Sequence, residues 1–422
     1  MTTHSDPPQE SFRLSMLLYD TRYRSMTIQV VALIGFMLAA AWLINNTMQN
    51  LAALGKPVEF GFFTEPSSYD INQHILEYDS RDTHLRASFI GLLNTIIVAV
   101  LGCVTATIVG VLVGVLRLSK NWLVAKIMAV YVEMFRNVPV LLWIVLAMAI
   151  LIESLPRPSA FRGDDPDATM KIFDSVALTN RGVYVPEPLL SNSLGNIHLF
   201  GQSSLRMDVS LDLLALVVVL GLSIFAARKV TARAERIQNA TGERPTTWYI
   251  NLGIILIPSA ILLTALGLHL GYPELKGFNF GGGIHMRNSL IALWMALGLY
   301  TAAFVAEIVR AGILAVSHGQ TEAAAALGLR PNRVMQLVVL PQALRVIVPP
   351  LISQYLNLTK NSSLAIAVGY MDITGTLGGI TMNQTGRELE CVLLLMLVYL
   401  TLSLIISSVM NWYNNRVKLV ER

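Results

Sequence analysis

An all-α integral membrane protein with about eight transmembrane helices is the fold this sequence predicts, and three observations predict it. Hydrophobic residues fill 54% of the 422 positions and charged residues only 14%, with a mean hydropathy of +0.57. That composition excludes a large soluble domain. Eight apolar stretches reach the ~20 residues needed to cross about 30 Å of hydrocarbon. They lie near 26–46, 88–116, 122–153, 210–227, 248–270, 287–316, 334–359 and 389–413. With both termini cytoplasmic, the inner segments hold 15 Lys and Arg in about 76 residues, against 11 in about 143 outside, which is the positive-inside bias.

The first stretch follows about 25 polar residues carrying Arg13, Arg22 and Arg24, and it is longer than the apolar region of a signal peptide. It reads as a retained anchor. After the spans at 88–116 and 122–153 comes LPRPSAFRGDDPDATMKIFDS, whose Pro, Gly and Asp read as an exposed loop rather than a core. The span at 210–227 leads into RKVTARAERIQNATGERP, a basic loop (Arg228, Lys229, Arg233, Arg236, Arg244) that fixes topology against lipid headgroups. FGGGI at 280–284 reads as a flexible outer loop. The seventh span carries Arg345 and Pro349-Pro350, which predict an interruption whose peptide groups line protein or water.

Several chemistries are excluded. Cys103 and Cys391 fall inside spans, and the seven histidines show no metal-ligand spacing, so neither a disulfide framework nor a metal site is implied. The chain has no Gly-x-x-x-x-Gly-Lys-Ser/Thr phosphate loop, no nucleophile elbow and no His-Glu-x-x-His, so catalytic residues and a cofactor of its own are not expected. No nucleic-acid partner is expected either.

Polar residues at membrane depth are the candidates for a translocation path, because a charge there costs about 2.5–3.5 kcal/mol on insertion scales. Glu133, Arg136 and Asn137 share a helical face, and Glu307 and Arg310 repeat the Glu-x-x-Arg spacing. Each set reads either as a packing ion pair or as a pair that changes partners. Gln354, Asn357 and Asn361 form a stripe at i, i+3 and i+7, beside Lys360, Ser362 and Ser363. That stripe suits either an amino acid's carboxylate and ammonium or hydrogen bonds to a partner helix. Asn94, Thr95, Tyr300 and Thr301 are weaker candidates, since Thr in an apolar helix commonly bonds its own backbone.

The most specific feature is EAAAALGLRPNRVMQLVVLP at 322–341: Glu-Ala-Ala, three residues, Gly, nine residues, an aliphatic, any residue, Leu-Pro. Ser317 and Gln320 predict a capping box, Glu322 falls in the first turn, and Gly328 closes a helix of two to three turns in the left-handed conformation. This spacing resembles the coupling motif of importer-type ABC permeases, on Glu322, Ala323, Ala324, Gly328 and Pro341. Further likeness lies in GLLNTIIVAVLG, YVEMFRNVPVLLWI, YTAAFVAEIVRAGILAV and PPLISQYLNLTKNSSLAIAVGYMDI. Together these resemble the polar-amino-acid (His/Arg/Glu/Gln) importer branch, above all its larger subunits for general or acidic and amide amino acids.

The resemblance implies a five-helix type I permease core at 88–153 and 286–413, with a cytoplasmic coupling helix at 317–330. It leaves 1–87 as N-terminus, anchor and outer loop, 154–285 as an insertion with two extra spans, and 414–422 as a cytoplasmic tail. It further implies a bacterial inner-membrane permease working with two ABC ATPase subunits that bind the ATP. A periplasmic amino-acid-binding protein and a second, homologous permease, more in keeping with a heterodimer than a homodimer, complete the assembly among membrane lipids. A secondary amino acid transporter driven by an ion gradient is the alternative, though no inverted repeat supports it.

Overall fold

The computed structural model describes residues 16–163, 166–201 and 203–417, so the extreme N-terminus with Arg13 and the end of the tail lie outside the described residues. The chain is 69% helical. It divides into two units, Met1–Phe60 and Gly61–Arg422. In the first, α1 (Thr21–Ala53) is a 33-residue helix whose apolar side chains are almost all exposed, as a helix surrounded by lipid requires.

The second unit holds α2 (His84–Leu116), α3 (Trp122–Asn137), α4 (Val140–Ser154), α5 (Leu211–Thr241), α6 (Trp248–Ala265), α7 (Asn288–Leu314), the short α8 (His318–Ala326), α9 (Leu340–Asn361) and α10 (Glu388–Val417). Among the described residues, eight helical stretches have the length and hydropathy to cross a membrane.

Four local expectations are corrected. The stretch 122–153 is two helices, because Pro139 forces Val138 into extended backbone (φ −111°, ψ 133°) and only α4 has the apolar character of a span. The basic run after residue 227 is not a loop: its Ala, Arg, Lys, Glu and Gln continue α5 to Thr241, where Gly242 caps it at φ 80°. The seventh span is not interrupted at Pro349-Pro350. Both prolines lie inside an unbroken α9, since their fixed φ is helical, and the cost is confined to the carbonyls of Arg345 and Val346, which lose their donors. The irregular turn comes earlier, a π-helical stretch at Met335–Val339. Finally, the glycines of FGGGI form a defined turn. Gly282 and Gly283 take φ of 76° and 71°, and a Cβ on Gly283 would lie 2.5 Å from the Val185 carbonyl oxygen.

The insertion also holds more order than its composition signals. Strands β1 (Ala177–Thr179), β2 (Gly182–Val185) and β9 (Ile284–Arg287) form one antiparallel sheet, with Val183 opposite Met286, so its beginning and end are paired beside the start of α7. Two-stranded ribbons pair β3 (Glu187–Leu190) with β6 (Leu268–Gly271), β4 (Asn196–Leu199) with β5 (Met207–Ser210), and β7 (Glu274–Lys276) with β8 (Asn279–Gly281). Ala177, Tyr184 and Phe280 make a small core with Phe161 and Met170, two residues of the stretch read as an exposed loop. Two core residues nine positions apart, among Gly, Asp and Pro, offer no strand period to detect.

The main core is the seam between α2 and α7, which run parallel. Gly298 meets Thr105, a Cβ on Gly110 would lie 2.6 Å from the Val305 Cβ, and one on Gly114 would lie 2.7 Å from the Ala306 carbonyl oxygen. Small residues let the two backbones touch, the way helices associate where lipid offers no hydrophobic driving force. The segment 362–387 between α9 and α10 folds back against the start of α2. Gly91 makes room for it: a Cβ there would collide with Thr376 Oγ1.

Candidate coupling site and membrane-depth polar groups

Helix α8 spans nine residues, about two and a half turns. Gly328 closes it at φ 78°, as the spacing predicts. The capping box does not form. Ser317 stands at the N-cap, but its side chain makes no cap hydrogen bond, and the Gln320 side chain instead accepts from Gln342 Nε2 at 3.4 Å. With the helix starting at His318, Glu322 falls in the second turn, not the first.

Ala324 is the inward residue, buried with Val334 and Val339 against Ile313, Val316, Leu329 and Val338. The helix therefore rests on the end of α7 and the approach to α9, with Pro341 half-buried in the first turn of α9. Glu322, Ala323, Ala325 and Ala326 face outward, and Leu327 is 82% exposed. The helix thus presents a low-relief alanine surface with a carboxylate at one end and an apolar knob at the other. Sequence reasoning missed Leu327; its signal was a large apolar residue between the alanine run and the capping glycine.

Behind this helix, Glu307 collects two guanidinium groups. Arg310 Nη2 lies 2.5 Å and Nε 3.2 Å from Glu307 Oε1, and Arg117, the residue after α2, pairs with Glu307 Oε2. The expected Glu307–Arg310 pair is present, and Arg117 joins it from another helix. A basic residue ending an apolar run reads as a topology signal, so its partnership was not legible. Gly312 completes the junction, because a Cβ there would collide with Ile347 of α9. Thus α2, α7, α8 and α9 meet at one end.

The other polar sets fall into two kinds. Glu133 accepts a hydrogen bond from Asn137 Nδ2 at 3.2 Å, whereas Arg136 lies over the Phe304 ring, 5.5 Å from its centroid. All three are exposed, and Tyr300 packs against the same Phe304 ring at 5.1 Å, beside buried Thr301. On α9, Asn357 and Lys360 are exposed and Gln354 and Asn361 half-buried, so the amide and ammonium groups line an outward face.

The second kind is spent on structure. Ser362 and Ser363 donate to the carbonyls of Thr359 (2.7 Å) and Lys360 (2.8 Å). Asn94 donates to the carbonyls of Gln73 (2.7 Å) and Met371 (2.8 Å), and Thr95 Oγ1 accepts from the Ile373 amide at 3.0 Å. These two residues clamp the 362–387 segment to α2. Within that segment Asp372, fully buried, accepts from the Gly375 amide at 2.8 Å, and burial pushes its carboxyl up to about 6.

Known proteins resemble this chain over most of its length. The glutamate/glutamine/aspartate/asparagine transport system permease protein of Rhodobacter capsulatus is 58% identical over 100% of both chains. The general L-amino acid transport system permease protein of Rhizobium johnstonii is 40% identical, covering 98% of this chain and 96% of that one. A crystal structure of an amino acid ABC transporter with histidines overlays at a TM-score of 0.43 and 16% identity, covering 79% of this chain and 95% of that chain, so the family statement rests on the sequences. Residues 106–419 match the profile of the binding-protein-dependent transport system inner membrane component, and the chain belongs to that family of permeases.

Proposed function

We infer that this chain is the permease subunit of an ATP-driven importer of polar L-amino acids, either acidic and amide amino acids or a broad range. The observation that carries the reading is the anchored coupling helix, with Ala324 packed onto the bases of α7 and α9 while Glu322 and Leu327 stay free for a partner. The names of the two full-length relatives support the substrate class.

In this reading the 318–326 end is cytoplasmic, as are both termini, and the strand-bearing part of the insertion faces the periplasm of a bacterial inner membrane. Two ABC ATPase subunits dock on Glu322, Ala323 and Leu327 and bind the ATP, so the chain needs no cofactor. A homologous but distinct permease completes the path, and a periplasmic binding protein delivers the amino acid. The outward face of α9 (Gln354, Asn357, Lys360, Asn361) and the Glu133–Arg136–Asn137 face are the candidate path lining. Glu307 with Arg117 and Arg310 ties the helices that must move together as access alternates.

The test is uptake of radiolabelled glutamate, glutamine, aspartate, asparagine, histidine and arginine into cells with and without the chain, with ATP depletion as a second arm. Loss of ATP-dependent uptake of the acidic and amide amino acids, alone or with the rest, supports the reading. Unchanged uptake of all six overturns it.

A further inference from the structure

Between the insertion and the starts of α7 and the 362–387 segment lies a cavity of about 390 Å³, a volume within the range of small-ligand sites. Asn180 and Arg181, at the β1–β2 turn, line one side, and Arg287 and Asn288, at the junction of β9 with α7, line another. Ile152 and Val368 supply an apolar wall.

The polar groups here are buried but not satisfied. Asn288 is only 3% exposed; its Nδ2 is committed to the Thr179 carbonyl at 3.5 Å, and its Oδ1 has no hydrogen-bond partner among the described residues. Asn180 Oδ1, His285 Nε2 and Arg287 Nε are likewise buried without a partner. Native structures rarely leave such groups unmet, so four in one cavity point to a ligand or ordered water.

The groups are also held in place. The Arg287 amide donates to Gln73 Oε1 at 3.0 Å, and the His285 ring on the same strand stacks on Tyr184 at 4.1 Å. The 27-residue α7 starts at this wall, and the side chain at its N-cap, Arg287, makes no cap hydrogen bond. Its first-turn N–H groups favour an anion there.

Two orphaned carbonyl oxygens suit an ammonium. An orphaned guanidinium N–H, a second guanidinium and an uncapped helix start suit a carboxylate. We propose that this cavity binds a free α-amino acid as its zwitterion, with Asn180 and Asn288 Oδ1 accepting from the ammonium and Arg287 with the start of α7 taking the carboxylate. Arg181, exposed at the rim, adds attraction for the carboxylate. The site would hold the amino acid on the insertion side before it enters the membrane path, and it rests on the reading of the chain as an amino-acid permease.

The experiment is equilibrium binding of radiolabelled L-glutamine and L-glutamate to the full transporter, purified with its partner permease and ATPase subunits and without binding protein. Saturable binding is expected, weakened at least tenfold by Arg287→Gln and by Asn288→Leu and about threefold by Arg181→Gln, whose exposed position spares the fold. Arg287→Lys should retain an intermediate affinity. N-acetyl-L-glutamine and L-glutamine α-amide should each compete at least tenfold less well than L-glutamine.

Absent binding, binding that all these variants leave unchanged, or an N-acetyl derivative that competes as well as the free amino acid would overturn the proposal. ATP-driven uptake by the wild-type transporter with its binding protein, in the same proteoliposomes, separates the two readings. Uptake with unaltered binding in the variants sinks this site alone, whereas no uptake of any amino acid sinks the parent reading as well.

Discussion

Ala324 and Ala325 are adjacent, equally small and opposite in role. Ala324 is buried against Val334 and Val339, and Ala325 is exposed. Ala324→Leu should therefore overpack the base of α7 and lower stability by about 1–3 kcal/mol. Ala325→Leu should leave the melting temperature of the detergent-purified chain within a degree of wild type while weakening ATPase subunit binding. Equal melting temperatures for both variants would contradict the assigned faces.

Asp372 makes a pH prediction. Its carboxyl, ordinarily near 3.8, is pushed up to about 6 by burial, so the folded state holds the proton more tightly than the unfolded chain does. Its contribution to stability is greatest below pH 4, is lost as pH rises through 4 to 6, and is flat above, a swing of about 3 kcal/mol. Asp372→Asn keeps an acceptor for the Gly375 amide and removes the titration. Its melting temperature should vary less than wild type between pH 4 and 7, and a wild-type melting temperature that climbs over that range would refute the assignment.

At the scale of elements, the α2–α7 seam depends on the absence of side chains. Gly110→Val should force Val305 away and separate helices packed along their length, costing about 1–3 kcal/mol or more. A Cβ added at Gly221 of α5 would meet nothing within 4 Å, so Gly221→Val is the control expected to change little. Size-exclusion profiles and thermal unfolding in detergent distinguish the two.

The spans were legible because a bilayer imposes length and hydropathy on each helix separately. What escaped were features with more than one outcome: Pro139 splits a stretch in two, whereas Pro349-Pro350, whose fixed φ is helical, lie inside an unbroken α9. Likewise Arg117 announced a span's end, whereas its bond to Glu307 required the fold.

At the scale of the whole molecule, the motif at 322–341 was readable as a spacing, and the structure adds which of its residues faces outward. The two spans of the insertion were readable, but its strand-bearing part was not, because the strands are three or four residues long and the small core draws on scattered aromatics. If work enters through α8, Glu322→Lys should leave membrane insertion and subunit abundance intact while reducing ATP-dependent uptake at least tenfold. Full uptake by that variant would show that the outward carboxylate plays no part in coupling.

Gly312 sets the character of that transmission. Where the Ile347 side chain lies against its bare backbone, two long helices meet across a single side chain, within two turns of the coupling helix. Such a contact works as a fulcrum: α7 extends from it toward Asn288 for about 36 Å, a long arm set against a short one. If an ATPase pushes on α8, a small displacement there becomes a wide one at the far end of α7, in a ratio that the place of this single glycine sets.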